Sequence, residues 1–340
     1  MTPAPGAAPV QPLVSICMPA YNYGHYIEQA VRSAWAETYP RCELIVVDDG
    51  STDGTWDLLS RLQAESPIPM TVLLGEHRGV AAALNLALTR AQGEWISILH
   101  ADDYSRDDRI ADQMAAVDSE AVVLVHSEYV CVDQNGAPNG YSSASDLPPA
   151  TGRALRAILL VQTDVRSMTL LIRRSALDRI GRYDERLPVE DWQSILRLAA
   201  DGEIRHVAEP HIFRRVHGGN ISITGQKGKT FSFDETGLDV VKELAPPDIP
   251  LDYLTVLHAS VVIKNALANG GFSKAADGFR QCWEQFPAQR GMLTREFASG
   301  LRAFLWLSQV RDRLPPAAVR ALVRAKIASQ AKRRSVGRSR

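Results

Sequence analysis

Cys42-Glu43-Leu44-Ile45-Val46-Val47-Asp48, followed by Asp49-Gly50-Ser51-Thr52-Asp53-Gly54, is the stretch that decides how this chain folds. An apolar run containing β-branched Ile45, Val46 and Val47 reads as a strand buried on both faces. It ends on two carboxylates and a turn, and helical spacing then runs from Gly54 to Glu65. Upstream, Leu13 to Met18 (LVSICM) reads as another strand, with helical spacing from Tyr26 to Glu37. Downstream, Met70 to Leu74 and Trp95 to Leu99 read as strands around a helix from Val80 to Ala91. Strands alternating with helices predict an α/β fold, a mainly parallel sheet with helices on both faces. Ligands bind such sheets at the carboxyl ends of the strands, here just after Met18, Val47 and Leu99.

The rest of the chain is less regular. Ala121 to Val125 and Glu128 to Asp133 read as two further strands, and Gln134-Asn135-Gly136 as a turn. Met168 to Ile172 reads as a strand and Glu190 to Asp201 as a helix. From Asp252 onward the pattern is helical only. The expected organisation is a disordered segment over 1–12, a catalytic domain over 13–225, a linker over 226–251 and a helical region over 252–340. The net charge of −1 excludes a general attraction for nucleic acid. Cys17, Cys42, Cys131 and Cys282 are scattered without zinc-site spacing, a usage that fits a reducing cytoplasm. The Ala- and Pro-rich start does not read as a signal peptide, and no apolar stretch approaches the roughly 18 residues of a membrane span.

Three strand ends carry polar clusters: Pro19-Ala20-Tyr21-Asn22, the Asp48–Gly54 turn, and His100-Ala101-Asp102-Asp103. Capping and turn chemistry accounts for Ser51 to Gly54. It does not account for Asp48 and Asp49, since adjacent carboxylates closing an apolar strand are costly without partners. Asp102 and Asp103 close a buried strand too. Paired carboxylates on a rigid edge suit a hard divalent cation, Mn²⁺ or Mg²⁺, with positions open for phosphate oxygens. Capping of a helix from Arg106 is the bland account of the same pair, and Ser105 or Asp107 would serve that purpose as well.

In order and spacing, Val14–Asn22, Leu44–Gly54, Gly79-Val80-Ala81-Ala82-Ala83-Leu84-Asn85 and Ala101-Asp102-Asp103 resemble family 2 glycosyltransferases of the GT-A fold. The resemblance covers about Val14 to Ser222. It implies that Pro19, Ala20 and Tyr21 line a nucleotide pocket, with Tyr21 stacked on the base and Asp49 accepting its N–H. It implies that Asp102 and Asp103 hold the metal and the diphosphate, leaving open which is the direct ligand. The family often has Asp where this chain has His100; the imidazole would touch the sugar or add a nitrogen ligand to the metal. Pro188-Val189-Glu190-Asp191-Trp192 resembles the family's Glu-Asp motif, implying Asp191 as catalytic base and Glu190 beside it at the donor. In Phe213 to Ser222, His217 becomes a third metal ligand or a diphosphate contact, and Gly218-Gly219 a mobile loop. Arg78 is a candidate phosphate or base contact; His77, His206 and His211 carry no signal.

The function so implied is inverting, metal-assisted transfer of a sugar from a UDP- or dTDP-sugar to a glycan or lipid-linked glycan acceptor. Two rivals stay open at this point: a nucleotidyltransferase, and a non-catalytic binder of nucleotide or glycan. The first lacks the cationic loop expected after its first strand; the intact acidic pairs oppose the second. Pro316 to Lys332 reads as a basic amphipathic helix, a candidate for peripheral contact with the inner face of the cell membrane.

Overall fold

The computed structural model describes residues 11–142, 165–186, 191–220 and 243–244. The chain divides into two compact units, Met1–Asn220 and Ile221–Arg340. All but Glu243 and Leu244 of the second lie outside the described residues, and with them the expected linker, helices and basic tail. The expected segment over 1–12 also lies outside, apart from Gln11 and Pro12.

In the first unit the described strands are β1 (Val14–Ala20), β2 (Cys42–Asp48), β3 (Met70–Leu74), β4 (Trp95–Ile98), β5 (Tyr104–Ser105), β6 (Val122–Val132), β7 (Pro138–Ser142), β8 (Leu170–Arg173) and β9 (Glu203–Arg215). The helices are α1 (Ile27–Trp35), α2 (Thr55–Glu65), α3 (Val80–Leu88), α4 (Arg109–Ala115), α5 (Arg174–Arg179) and α6 (Asp191–Asp201). The sheet runs β3-β2-β1-β4-β8-β6-β9-β5, with β7 beside β6. From β3 to β4 all neighbours are parallel. Beyond β4 the sheet becomes mixed: β8 runs antiparallel to β4 and β6, whereas β9 runs parallel to β6.

All seven residues of β1 are buried, as a central parallel strand covered on both faces requires. Ile27, Ala30, Val31 and Ala34 of α1 share one face of their helix and join a core with Ile16, Met18, Leu44 and Val46. On these strands α3 also packs. Each large aliphatic side chain buried there contributes about 1.5–3 kcal/mol, so the sheet edge is a rigid platform.

Four elements differ from expectation. The strands read at 121–125 and 128–133 are one strand, β6, irregular where it meets β9 around Ser127 to Tyr129. Its polar His126 and Ser127 are buried, so they break the apolar pattern without breaking the strand. The run from Met168 begins as a 3₁₀ turn at Ser167–Thr169 before β8. The helix after Arg106 starts at Arg109. The longest strand, β9, was not expected, because Arg205, His206, Glu209 and Arg214 obscure its alternation. Several of the polar groups are paired: Arg205 binds Asp118 and Glu203, His206 binds Glu128 at 2.6 Å, and buried His211 binds Asp112 of α4 at 3.0 Å.

Loops at the carboxyl edge are laced together. Ser51 Oγ accepts from the Asn22 amide, Asn22 Oδ1 from the Thr52 amide, and Asp53 from Gly24. Asp48 Oδ1 accepts from the Ser51 amide. Asp49 accepts the amides of Arg78 (3.2 Å) and Gly79 (2.7 Å), one on each oxygen. A Cβ on Gly75 would stand 2.6 Å from Asp49 Oδ1, so only glycine lets this loop lie so close.

Asp49→Asn places an amide N–H against a backbone N–H. It should cost about 1–3 kcal/mol in urea unfolding and raise protease cleavage within residues 75–79. Unchanged stability and unchanged cleavage would refute the latch. Glu37 accepts the Ile110 and Tyr39 amides, and burial pushes its carboxyl up to about 7 against the opposing pull of those bonds and Arg109. The folded state then holds this proton more tightly than the unfolded chain. Stability from this group is therefore fully present below the ordinary glutamate value and falls as pH rises toward 7. Urea midpoints across pH 4–8 should lose that component in Glu37→Gln.

Candidate active site

The parallel register brings the three polar clusters to one edge. Ala20 pairs with Asp48, and the Asp49 amide donates to the Ala20 carbonyl at 2.8 Å. The Leu99 amide donates to the Cys17 carbonyl at 3.2 Å, so His100 to Asp103 emerge beside Pro19 to Tyr21. Tyr21 is 39% exposed and stacks on His77 at 4.2 Å. His77, with left-handed φ of 54°, completes this aromatic wall. It gave no sequence signal because it sits in a loop without periodicity.

Asp102 and Asp103 are both buried. Asp102 Oδ2 lies 3.2 Å from His217 Nε2 and accepts from Asn220 Nδ2 at 2.9 Å. Asp103 Oδ1 accepts the Arg215 amide at 2.8 Å. Burial alone would raise both carboxyls. In Asp102 the His217 hydrogen bond and the His100 and His217 charges outweigh it and hold the group below the usual range. Burial and the neighbouring Asp102 charge push Asp103 well above that range. The Tyr23 phenol is raised by burial, by both carboxylates and by its hydrogen bond to Asp102. Its ring also meets the edge of His217. Tyr23 and Asn220 complete the carboxylate setting; the spacing that marked His217 also contains Asn220, but an Asn after two glycines looks like turn chemistry.

One donor atom each from His100, Asp102 and Asp103 lies within 4.8 Å of the others. Two carboxylates with an imidazole fit a divalent cation. His100 is held below the ordinary imidazole range by burial, against the upward pull of Asp102 and Asp191. That interaction brings Asp191, the first residue of α6, to the same neighbourhood. Asp191 is part-buried, and its Oδ1 accepts the Trp192 amide at 2.6 Å. Glu190 lies outside the described residues.

Arg78 directs its half-exposed guanidinium to Glu185 at 2.5 Å. Glu185 also accepts from Asn85, whose amide group bonds Tyr183 in both directions. Arg215 is a strut: it donates to the Asp102 carbonyl, Gln134 carbonyl and Gln29 side chain and lies over the Tyr26 ring at 4.7 Å. No helix among the described residues is long and apolar enough to cross a membrane.

Comparisons with known proteins concern this same part of the chain. The family model described as Glycosyl transferase family 2 matches residues 15–181. The chain is 37% identical over 128 residues to the putative teichuronic acid biosynthesis glycosyltransferase TuaG of Bacillus subtilis, spanning 38% of this chain and about half (51%) of that protein. It is 28% identical to the Escherichia coli UDP-Glc:alpha-D-GlcNAc-diphosphoundecaprenol beta-1,3-glucosyltransferase WfaP, over 62% of this chain and 80% of that one. Its fold is similar to that of S. aureus TarS 1-349, with a TM-score of 0.60, 18% identity and coverage of 86% and 90% of the two chains. The acidic edge and the aromatic wall thus sit largely within the segment, residues 15–181, that matches the family 2 glycosyltransferase model, on a fold similar to that of TarS.

Proposed function

We propose that this glycosyltransferase moves a sugar from a UDP- or dTDP-sugar to a hydroxyl of a glycan or lipid-linked glycan, with inversion, in polysaccharide assembly. The reading is carried by one observation: donor atoms of His100, Asp102 and Asp103 lie within 4.8 Å of one another, and Asp102 and Asp191 both act on His100, at the edge walled by Tyr21 and Asp49. WfaP, by its name, uses UDP-Glc and a diphosphoundecaprenol-linked sugar, and this supports the donor and acceptor classes. Chondroitin synthase of Pasteurella multocida, 28% identical over 62% of this chain, supports the assembly role.

Tyr21 would stack on the base. Each Asp49 oxygen spends one lone pair on a loop amide and retains another for a base N–H such as N3–H of uracil or thymine. Pro19 and Ala20 would line the floor, and Arg78, swung from Glu185, would meet phosphate. Asp102, Asp103 and His217 would hold Mn²⁺ or Mg²⁺, which when bound supplies positive charge beside the diphosphate. Asp191 would take the acceptor hydroxyl's proton as its oxygen bonds the anomeric carbon. The carbon–oxygen bond to phosphate breaks on the opposite face, and the nucleoside diphosphate leaves with that electron pair. Glu190, next to the base, would fix the donor sugar. Action at the inner face of the cell membrane, through the basic segment near the end of the chain, belongs to the same proposal.

A thermal-shift screen of UDP-, dTDP- and GDP-sugars with and without Mn²⁺ tests the donor side. A uridine or thymidine sugar should raise the midpoint in a metal-dependent way, because binding to the folded state alone stabilises it. Asp102→Asn combined with Asp103→Asn should abolish that shift; an unchanged shift would contradict the assignment. On the acceptor side, Asp191→Asn should retain the donor shift and lose about 10²–10⁴-fold in kcat. Donor binding without turnover in the unaltered chain, across donors and lipid-linked acceptors, would favour a binding module instead.

A further inference from the structure

His100 lies two residues beyond the end of β4, and its ring is part-buried beside the carboxylate pair. Its Nε2 atom is fully enclosed and has no hydrogen-bond partner. An enclosed polar atom without a partner has lost its water without replacement, so the fold carries a penalty at this ring. Nearby groups are committed elsewhere. Asp102 turns Oδ2 to His217 and Asn220, and Asp103 turns Oδ1 to the Arg215 amide. A ring nitrogen of His100 nevertheless lies within 4.8 Å of an oxygen of each carboxylate, the reach of a shared cation. First-row divalent ions bind a mixed nitrogen and oxygen site with an affinity that rises from Mn²⁺ along the series. Mg²⁺ takes oxygen ligands in a near-ideal octahedron and gains little from a nitrogen.

We propose that His100 is a nitrogen ligand of the cation held by Asp102 and Asp103, and that it makes the site select Mn²⁺ over Mg²⁺. The inference rests on the metal-assisted reading above and names the ion class that reading leaves open. An ion bound at Nε2 would also supply the partner that this enclosed atom lacks.

The test uses the full chain with Mn²⁺ and UDP. Metal affinity is measured by titration calorimetry, and nitrogen bonded to Mn²⁺ by electron spin-echo envelope modulation. Circular dichroism establishes that His100→Gln, His100→Asp and His217→Gln are folded. Nitrogen modulation should persist in His217→Gln and fall in His100→Gln. His100→Gln should lose at least about tenfold in Mn²⁺ affinity, the low end of what even an outer partner of a ligand is worth. His100→Asp should move the Mg²⁺-to-Mn²⁺ affinity ratio toward Mg²⁺, and it carries the test alone if His100→Gln does not fold. Bound Mn²⁺ with no nitrogen modulation, or modulation that His100→Gln leaves intact, overturns the inference while leaving the carboxylate pair in its role. Failure of Mn²⁺ to bind the unaltered chain with UDP overturns both.

Discussion

Two carboxylates buried side by side at a strand end repel each other, and the rest of the site is organised to contain that repulsion. In a low-dielectric edge the second charge is expensive unless hydrogen bonds or cations meet it. Asp102 finds His217 and Asn220, and Asp103 finds the Arg215 amide. All three partners come from the end of β9 and the turn beyond it. The Arg215 side chain does not touch either carboxylate; it clamps the Asp102 carbonyl to α1 through Gln29. The backbone carrying the pair is therefore held as tightly as its charges.

The two halves of the sheet divide the work. The parallel half, β3 to β4, presents loops that Asp48, Asp49, Ser51 and Asn22 stitch together, a surface suited to a planar base and its sugar. Beyond β4 the strand direction reverses, and the helix that begins at Asp191 arrives from that side. Asn85 and Glu185 tie α3 to the approach to Asp191, and Arg78 shares the Glu185 carboxylate. The loop carrying Arg78 and the segment around Glu185 are thereby joined to α3 by one small polar knot.

The parallel half was legible in sequence because buried strands and amphipathic helices leave strong apolar patterns; β2 and β3 have the bounds their residues suggested. The mixed half was less legible. Buried His126 and Ser127 split β6 into two apparent strands, and paired charges hid β9. At the site, carboxylates at strand ends announced themselves, since nothing structural explains them cheaply. Tyr23, His77 and Asn220 did not, because their contacts join residues far apart in sequence: Asn220 meets Asp102 across 118 positions.

That separation bears on how the protein is made. The family match ends at residue 181, whereas the groups that quiet the carboxylate pair lie at 215, 217 and 220. A nascent chain that has released only the matched segment from the ribosome exposes the strand with its acidic end unneutralised. The site can be electrostatically closed only once residues 215 to 220 have been made, so its completion must follow synthesis of the matched segment.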